Sequence, residues 1–372
     1  MRLSDRFHCP QTPYFLSHSV GLQPISSMDA LHTGFSARWA AGASDVWTTW
    51  SETLDLFRAK LATLLGAEPQ DICPQPSVSA ALTKILFGLP KEPGRNTVLL
   101  CREDFPTIGY VLAQAQRFGL ELRFIEGGAH LADPAFWEKE LDESVHLVHV
   151  THVFSNRGVR TPVPEITALA RKRGIKTIID VAQSAGVVDI DVNDFRADYI
   201  IGTSVKYLCG GPGAAWLWAN PEAASDNHPI DVGWFSSATP FNYDIETFSY
   251  ADGAARFMGG TPSVVPFAFA ANGIATLLDI GIQAIETYAQ SLIDQLVADL
   301  PPSVLASHVK PGERGSAVLI KPDNPEAFSK ALSQKGIAHD MRTGAVRLSF
   351  HVYNDENDLK GLLETLKSCC PV

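Results

Sequence analysis

The feature that most constrains the fold of this chain is an alternation of short apolar runs with longer amphipathic segments. The segment 162–173 has apolar residues at helical spacing, a basic last turn and Gly174 as its stop, which predicts a crossover helix. This pattern predicts βαβ units around a mostly parallel sheet. The predicted strands are residues 97–101, 121–125, 146–150, 176–180, 199–202 and 214–218.

The pattern changes near residue 260. A long, Ala-rich helical region is predicted over 264–300, and strands are predicted at 316–321 and 345–350 on either side of another helix. The first 45 residues are rich in Ser, Pro and Gly and start no such alternation. We therefore expect an α/β protein of two parts: a large domain formed by 46–262, and a smaller α+β domain formed by 1–45 together with 263–372.

Composition narrows the class of partner. The net charge of −11 argues against broad contact with nucleic acid or an anionic membrane, because both need clustered Lys and Arg. The six cysteines show no CxxC pairing, so a disulfide framework or structural zinc site is not expected, and neither a signal peptide nor a membrane span is recognisable. We expect a cytoplasmic protein whose partners are small molecules.

Three predicted strands end in residues capable of chemistry. Asp180 closes one strand, Lys206 lies just past the next, and Asp104 with Phe105 follows the first. Ligands of open parallel sheets bind at these carboxyl ends. Pyridoxal 5'-phosphate (PLP) needs a Lys to form an imine and a carboxylate to keep its pyridine nitrogen protonated, and Lys206 and Asp180 supply both. The glycine-rich CGGPG after Lys206 lets the chain turn back into a strand.

Four motifs spread over nearly the whole chain carry a family resemblance. They are the opening YFLSHSVGLQP, the segment DFPT, VGWF at 232–235 and VRLSFHVYN at 346–354. Together with the Asp180 to Lys206 stretch they resemble the aminotransferase class V group of fold-type I PLP enzymes, which includes kynureninases, cysteine desulfurases and isopenicillin N epimerase-like proteins. The likeness is greatest to kynureninase-like and cysteine desulfurase-like proteins, and it implies a large domain with a seven-stranded type of sheet.

The resemblance also implies roles for individual residues. Lys206 would form the imine and Asp180 would bind the pyridine nitrogen, so both are predicted as catalytic. Arg347 would bind the substrate's α-carboxylate, with Arg342 as the alternative. Thr261 matches a position that reaches the phosphate of a neighbouring subunit, which implies a homodimer. The predicted cofactor-binding set is Val78, Ser79, Phe105, Thr107, Asp180, Gln183, Thr203, Ser204, Lys206, Trp234 and Thr261.

Each of these residues also has a purely structural interpretation. Ser77 and Ser79 can cap a helix, although the helix start in PSVSAALTK would also hold a phosphate. Phe105 and Trp234 can be packing residues, and Gln183 can cap a helix. The spacing of the histidines, His18 among them, fits no metal site, so no metal is expected.

The reaction that the resemblance favours is hydrolysis of a carbon–carbon bond in an amino acid, as in kynureninase. Three positions depart from that family: Ile108 follows FPT in place of Asp, Val205 precedes Lys206 in place of Tyr, and Ser236 follows GWF. An aminotransferase, epimerase or C–S lyase of class V acting on another amino acid therefore stays open. So does a non-catalytic protein that keeps the PLP fold. A persulfide-forming desulfurase is not expected, because the loop 336–346 has no Cys.

Overall fold

The computed structural model describes residues 3–369 and the side chains of residues 3–368. Its larger sheet has seven strands in the order β1-β7-β6-β5-β4-β2-β3. Strand β7 runs antiparallel to β1 and β6, and the remaining neighbours pair in parallel. This confirms the predicted α/β class with a mostly parallel sheet. The strands are β1 Ile72–Gln75, β2 Thr97–Cys101, β3 Glu121–Ile125, β4 Val145–Thr151, β5 Lys176–Asp180, β6 Tyr199–Thr203 and β7 Ala215–Ala219.

Helices cover both faces of this sheet, and successive residues of each strand alternate between them. Ile178 packs in the core on the side of α4 and α5, whereas Ile179 packs in the core shared with α3, α7 and α10. The α-helices of the described chain are α1 Ser27–Leu31, α2 Ala37–Ala40, α3 Val46–Leu65, α4 Val78–Gly88, α5 Pro106–Leu112, α6 Pro134–Glu140, α7 Val163–Lys172, α8 Val192–Phe195, α9 Pro221–Asp226, α10 Val265–Leu278, α11 Ile282–Ala298, α12 Pro325–Gln334 and α13 Glu356–Cys369.

A second, smaller sheet follows in the order β8-β10-β9, with both pairs antiparallel. It comprises β8 Ala317–Ile320, β9 Asp340–Arg342 and β10 Ala345–Ser349. The start of the chain packs against it: the Phe15 amide donates to the carbonyl oxygen of Ala338, and the Ser349 amide donates to that of Phe15, each at 2.9 Å. These contacts support our proposal that 1–45 and 263–372 form the small domain and 46–262 the large one.

The structure differs from two details of the sequence analysis. Strand β1 was not predicted, and it adds an antiparallel edge beside β7. The helical region predicted over 264–300 is two helices, α10 and α11, set at 76° to each other. Gly281 separates them with a φ of +93°, a backbone conformation that favours glycine. No single helix in the described part of the chain is long and apolar enough to cross a membrane, and only this bent pair meets that criterion by length and composition.

Candidate active site

The site is built at the carboxyl ends of β2, β4, β5 and β6, on the sheet face covered by α4 and α5. Asp180 is the last residue of β5 and pairs in register with Thr151, the last residue of β4. Its Oδ1 accepts a hydrogen bond from the Ala182 amide at 2.8 Å. Burial raises the pKa of Asp180, and the positive charges of His149 and Lys206 oppose that rise. A carboxylate in this setting is stabilised by a cationic partner.

A polar network lies next to Asp180 on the same face. Asp104 accepts hydrogen bonds from the Cys101 amide at 2.9 Å, from Thr151 Oγ1 at 2.7 Å and from His149 Nδ1 at 3.1 Å. Burial lowers the pKa of His149, but the charges of Asp104 and Asp180 outweigh it, so the pKa of this imidazole lies above its usual value. The two carboxylates therefore favour the protonated form of His149.

Lys206 follows β6 in a turn that the start of the chain covers. The Gly21 amide donates to the carbonyl oxygen of Val205 at 2.9 Å. A Cβ at Gly21 would lie only 2.1 Å from the carbonyl oxygen of Lys206, so this close approach requires glycine. Burial lowers the pKa of Lys206, Asp180 raises it, and the charges of Arg347 and Arg342 lower it further. A lowered pKa favours the neutral, nucleophilic form of the amine.

Phe105 lies at the mouth of this site. Its ring centroid is 5.8 Å from Lys206 Nζ, and half of its surface is exposed. The next residues begin α5, where Thr107 is half-buried in the first turn. The Phe105 ring can therefore cover one face of a flat ligand held by Lys206, and we retain both residues as proposed cofactor contacts.

Helix α4 begins close to the same strand ends, after β1. Ser77 is its N-cap and accepts from the Ala80 amide at 3.1 Å. The amides of Val78 and Ser79 belong to the first turn, which has no preceding helical carbonyl to bind, and the helix dipole there favours an anion. Of the two serines with a possible capping role, Ser77 is therefore the one that caps the helix. The proposed phosphate contacts of Val78 and Ser79 remain available.

Residues 203 and 204 point in opposite directions because strand side chains alternate. Thr203 lies on the face of Asp180 and is half-buried. Ser204 is fully buried on the other face, where a Cβ at Gly210 would lie 2.8 Å from its Cβ. Of the two predicted hydroxyls, the structure brings only that of Thr203 towards the site. Gln183 is half-buried, and its amide nitrogen donates to the carbonyl oxygen of His18 at 3.1 Å.

Arg347 reaches the site from β10 of the small sheet. Its Nε donates to Asp340 Oδ1 at 2.9 Å, Nη2 donates to Asp340 Oδ2, and Nη1 donates to the Ser155 carbonyl oxygen at 3.1 Å. His18 Nε2 lies 3.0 Å from Asp340 Oδ1 on the other side, with its ring turned out of ideal hydrogen-bond geometry. Burial would raise the pKa of Asp340, but His18 and Arg347 hold it well below its usual value.

Trp234 and Thr261 lie in two loops that Lys84 joins. The buried ammonium of Lys84 donates to the carbonyl oxygens of Asp231 at 2.6 Å and Met258 at 2.8 Å. Trp234 packs against other aromatic rings and Thr261 is exposed. Within the described chain, the Thr261 side chain makes no hydrogen bond to any residue of its own site. Its proposed contact is with the phosphate bound by a second subunit.

The donor set fits PLP. The second oxygen of Asp180, Oδ2, has no hydrogen-bond partner in the described chain, nor has Lys206 Nζ, and His149 Nε2 is a buried nitrogen without a partner. A free carboxylate oxygen, the amine of Lys206 and an exposed aromatic ring therefore face one space, beside the start of a helix that suits a phosphate.

Comparison with known proteins decides the family. The family model of aminotransferase class V matches residues 20–362. The chain belongs to the aminotransferase class V family. It is a PLP-dependent enzyme of that family, as its motifs predicted. Two curated relatives are kynureninases: that of Pseudomonas fluorescens is 27% identical over 91% of this chain and 84% of its own, and that of Burkholderia mallei (strain SAVP1) is 28% identical over 98% and 91%.

Solved structures of a cysteine desulfurase and of a C-S lyase share the fold. The apo structure of the cysteine desulfurase from Thermococcus onnurineus NA1 matches with a TM-score of 0.85 at 22% identity, covering 96% of this chain and 94% of that one. A complex of the cystine C-S lyase C-DES with its product cysteine persulfide gives 0.87 at 21% identity, over 97% and 98%. At these identities the structures establish the fold alone.

Sequence reasoning missed His149 and Asp340 and assigned no role to His18. His149 lies within a strand predicted as apolar, where a histidine resembles a core residue. Asp340 is seven residues before Arg347, and a β9–β10 hairpin was needed to place the two side by side. The signal for His149 was its place two residues before the end of β4, on the same face as Thr151.

Proposed function

We propose that this protein hydrolyses a carbon–carbon bond in the side chain of an aromatic amino acid, as kynureninases do. The observation that carries the proposal is the match to curated kynureninases over 91–98% of the chain. The site supports it, because one space is bordered by an amine of lowered pKa, a buried carboxylate and a guanidinium. PLP, when bound, withdraws electrons from the substrate atoms next to the amine.

The residues of this chain divide the remaining work. Asp180 holds a negative charge against the pyridine nitrogen, and His149 with Asp104 keeps that carboxylate in place and ionised. Lys206 supplies the amine that holds the cofactor and moves protons at the substrate carbon. Arg347 orients the substrate by its carboxylate. Phe105 covers the site and limits access of water.

An aromatic cluster offers a place for an aromatic side chain. The indole of Trp234 contacts Trp47 at a centroid distance of 5.9 Å and Phe235 at 4.5 Å, and Trp47 contacts Trp50 at 5.4 Å. Aromatic rings packed edge to face accept a further ring at their open side. Trp47 is about half exposed, so the cluster has such a side.

Ile108 bears on one departure from the kynureninase pattern. Its side chain is buried in the core under α5 and does not face the site. A carboxylate at this position would need a different local packing. In this chain the charged network next to Asp180 is formed by Asp104 and His149, without a contribution from residue 108. We therefore propose that the substitution alters the network and leaves cofactor binding intact.

The cysteines disfavour a persulfide mechanism. In the described chain Cys73, Cys101 and Cys209 are buried, and burial raises the pKa of Cys73 to about 11 and that of Cys101 to about 12. Such thiols are poor nucleophiles. Cys9 is exposed, and it packs near the start of the chain rather than at Lys206. The two cysteines at 369 and 370 lie outside the described side chains. Free thiols are consistent with the cytoplasmic location that we propose.

We also propose a homodimer. Several large apolar side chains around the Trp234 loop are exposed, which is unusual for a monomer surface. A second copy of the chain would cover them and bring Thr261 to the partner's site. The exposed side chains are Trp39, Trp47, Phe241, Tyr243, Ile245 and Phe248.

The first experiment is the visible absorption spectrum of the purified protein, followed by addition of L-kynurenine. We expect a band of protein-bound PLP, a change of that band on adding kynurenine, and release of anthranilate and alanine. Lys206→Ala should lack the band. Lys176→Ala is the matched control, because Lys176 is also partly buried next to an aspartate but lies at the opposite end of β5.

Each other outcome has a defined meaning. A band that responds to other amino acids but not to kynurenine would replace hydrolysis by transamination, epimerisation or C–S cleavage. A band without any amino-acid turnover would favour the non-catalytic alternative. A protein without the band, or one whose band survives in Lys206→Ala, would refute the assignment of Lys206.

A further inference from the structure

The arrangement around Arg347 contains a carboxylate that the family resemblance does not explain. An arginine that binds a substrate carboxylate is expected to present a free guanidinium, yet Asp340 already occupies one edge of it through Nε and Nη2. Arg347 is almost fully buried, whereas the side chain of Asp340 is one-third exposed. The aspartate therefore holds a buried cation from the solvent side.

Counting donors shows what is left for a ligand. A guanidinium has five N–H groups. Two of them bind Asp340 and one binds the Ser155 carbonyl oxygen, so one N–H of Nη1 and one of Nη2 have no partner among the residues that the structure describes. Two hydrogen bonds on adjacent terminal nitrogens match the spacing of a carboxylate. The hydrogen bonds to Asp340 and Ser155 thus fix the plane of the guanidinium group. They still leave one pair of N–H donors for a ligand.

The local charges indicate that Asp340 positions Arg347 and does not compete with the substrate carboxylate for it. Arg342 lies on β9, its Nε donates to Asn156 Oδ1 at 3.0 Å, and its charge acts on Lys206 together with that of Arg347. At the Arg347 end of the site, two guanidinium groups outnumber one aspartate. A substrate carboxylate is therefore attracted even while Asp340 stays bound.

We propose that Asp340, backed by His18, is a positioning residue that fixes Arg347 so that its two remaining N–H groups bind the α-carboxylate of the substrate. Without Asp340 the guanidinium would have to give up rotational freedom when the ligand binds, which weakens the interaction. The inference rests on the proposed function only in that the ligand is an amino acid. The nature of its side chain does not matter.

The test compares L-alanine with L-alaninamide as ligands of the PLP-loaded enzyme. The two share an amine and differ in the carboxylate, and the change in the visible band gives the Kd of each. The wild type should prefer alanine. Asp340→Asn, which keeps the shape but not the charge, should lose about tenfold of that preference, with the Kd of alaninamide unchanged. Asp340→Glu should restore part of it.

The matched control is Asp294→Asn. Asp294 forms an ion pair with the buried Arg314, away from the site, so its loss should leave the preference unchanged. The proposal is overturned if the wild type does not prefer alanine, if Asp340→Asn binds alanine more tightly, or if both ligands weaken equally. The second result would make Asp340 a competitor, and the third a merely structural residue. Failure of kynurenine hydrolysis alone would leave the alanine preference, and hence this inference, intact.

Discussion

The pair formed by Asp104 and His149 makes a prediction whose sign and size follow from the structure. Replacing Asp104 by Asn keeps the shape and most hydrogen bonds. The amide oxygen can still accept from the Cys101 amide and His149, and the Thr151 hydroxyl can rotate to accept from the amide nitrogen. What is lost is the negative charge beside a fully buried imidazole.

The loss of this one charge determines the change in the free energy of unfolding. A hydrogen bond to a charged group contributes about 1.5–3 kcal/mol, so Asp104→Asn should lower the free energy of unfolding by about 2 kcal/mol at pH 5. The pKa of His149 is raised in the folded protein, so its contribution is fully present below the unfolded pKa and is lost as the pH rises through the folded pKa. The difference between the two proteins should therefore shrink at alkaline pH.

Urea unfolding at pH 5 and pH 9 measures the difference, and a proton NMR titration follows His149 directly. The pKa of His149 should fall in Asp104→Asn. Thr151→Val is the control, because it removes a neutral donor to the same carboxylate. Since the lost hydrogen bond is to the same charged group, it should cost about 1.5–3 kcal/mol, by the same amount at both pH values. A loss for Asp104→Asn that is equal at pH 5 and pH 9, with the pKa of His149 unchanged, would refute the reasoning.

Three further predictions address other parts of the site. Gly21→Ala places a Cβ 2.1 Å from a backbone oxygen, so the purified variant should lose the PLP band, whereas Gly361→Ala on an open helix surface should keep it. Phe105→Ala should speed the loss of PLP on dialysis by about three- to tenfold, because aromatic stacking contributes about 0.5–1.5 kcal/mol. Lys84→Met should release the two loops that it joins and lower the dimer fraction in sedimentation, and an unchanged fraction would contradict this role.

The sequence allowed the fold to be predicted where one element carried its own signal. The ends of β5 and β6 were placed by apolar runs followed by Asp180 and Lys206, and the crossover helix by its periodicity and Gly174. Strand β1 has only four residues and is defined by pairing with β7, some 140 residues later, so no local pattern identified it.

The residues of the site that lie within the family motifs could be predicted from the sequence. Lys206 and Asp180 came with recognisable neighbours, and their roles stay predictions until the spectra are measured. The direction of the Ser204 side chain follows from strand alternation. It could have been deduced by counting residues along β6 from Ile201, which pairs with Asp180. The contact between His18 and Asp340 joins residues more than 300 apart, and only the assembled fold shows such a pair.

The backbone bonds of Phe15 to Ala338 and Ser349 have a consequence for biosynthesis. Phe15, in the segment that covers the Lys206 turn, leaves the ribosome more than 300 residues before both of its pairing partners. Contacts of such large sequence separation form late in folding. A nascent chain can complete its sheet and the Lys206 turn, yet Gly21 and His18 can be held in place only after β10 has been synthesised. Efficient capture of PLP would then require β10 to have left the ribosome.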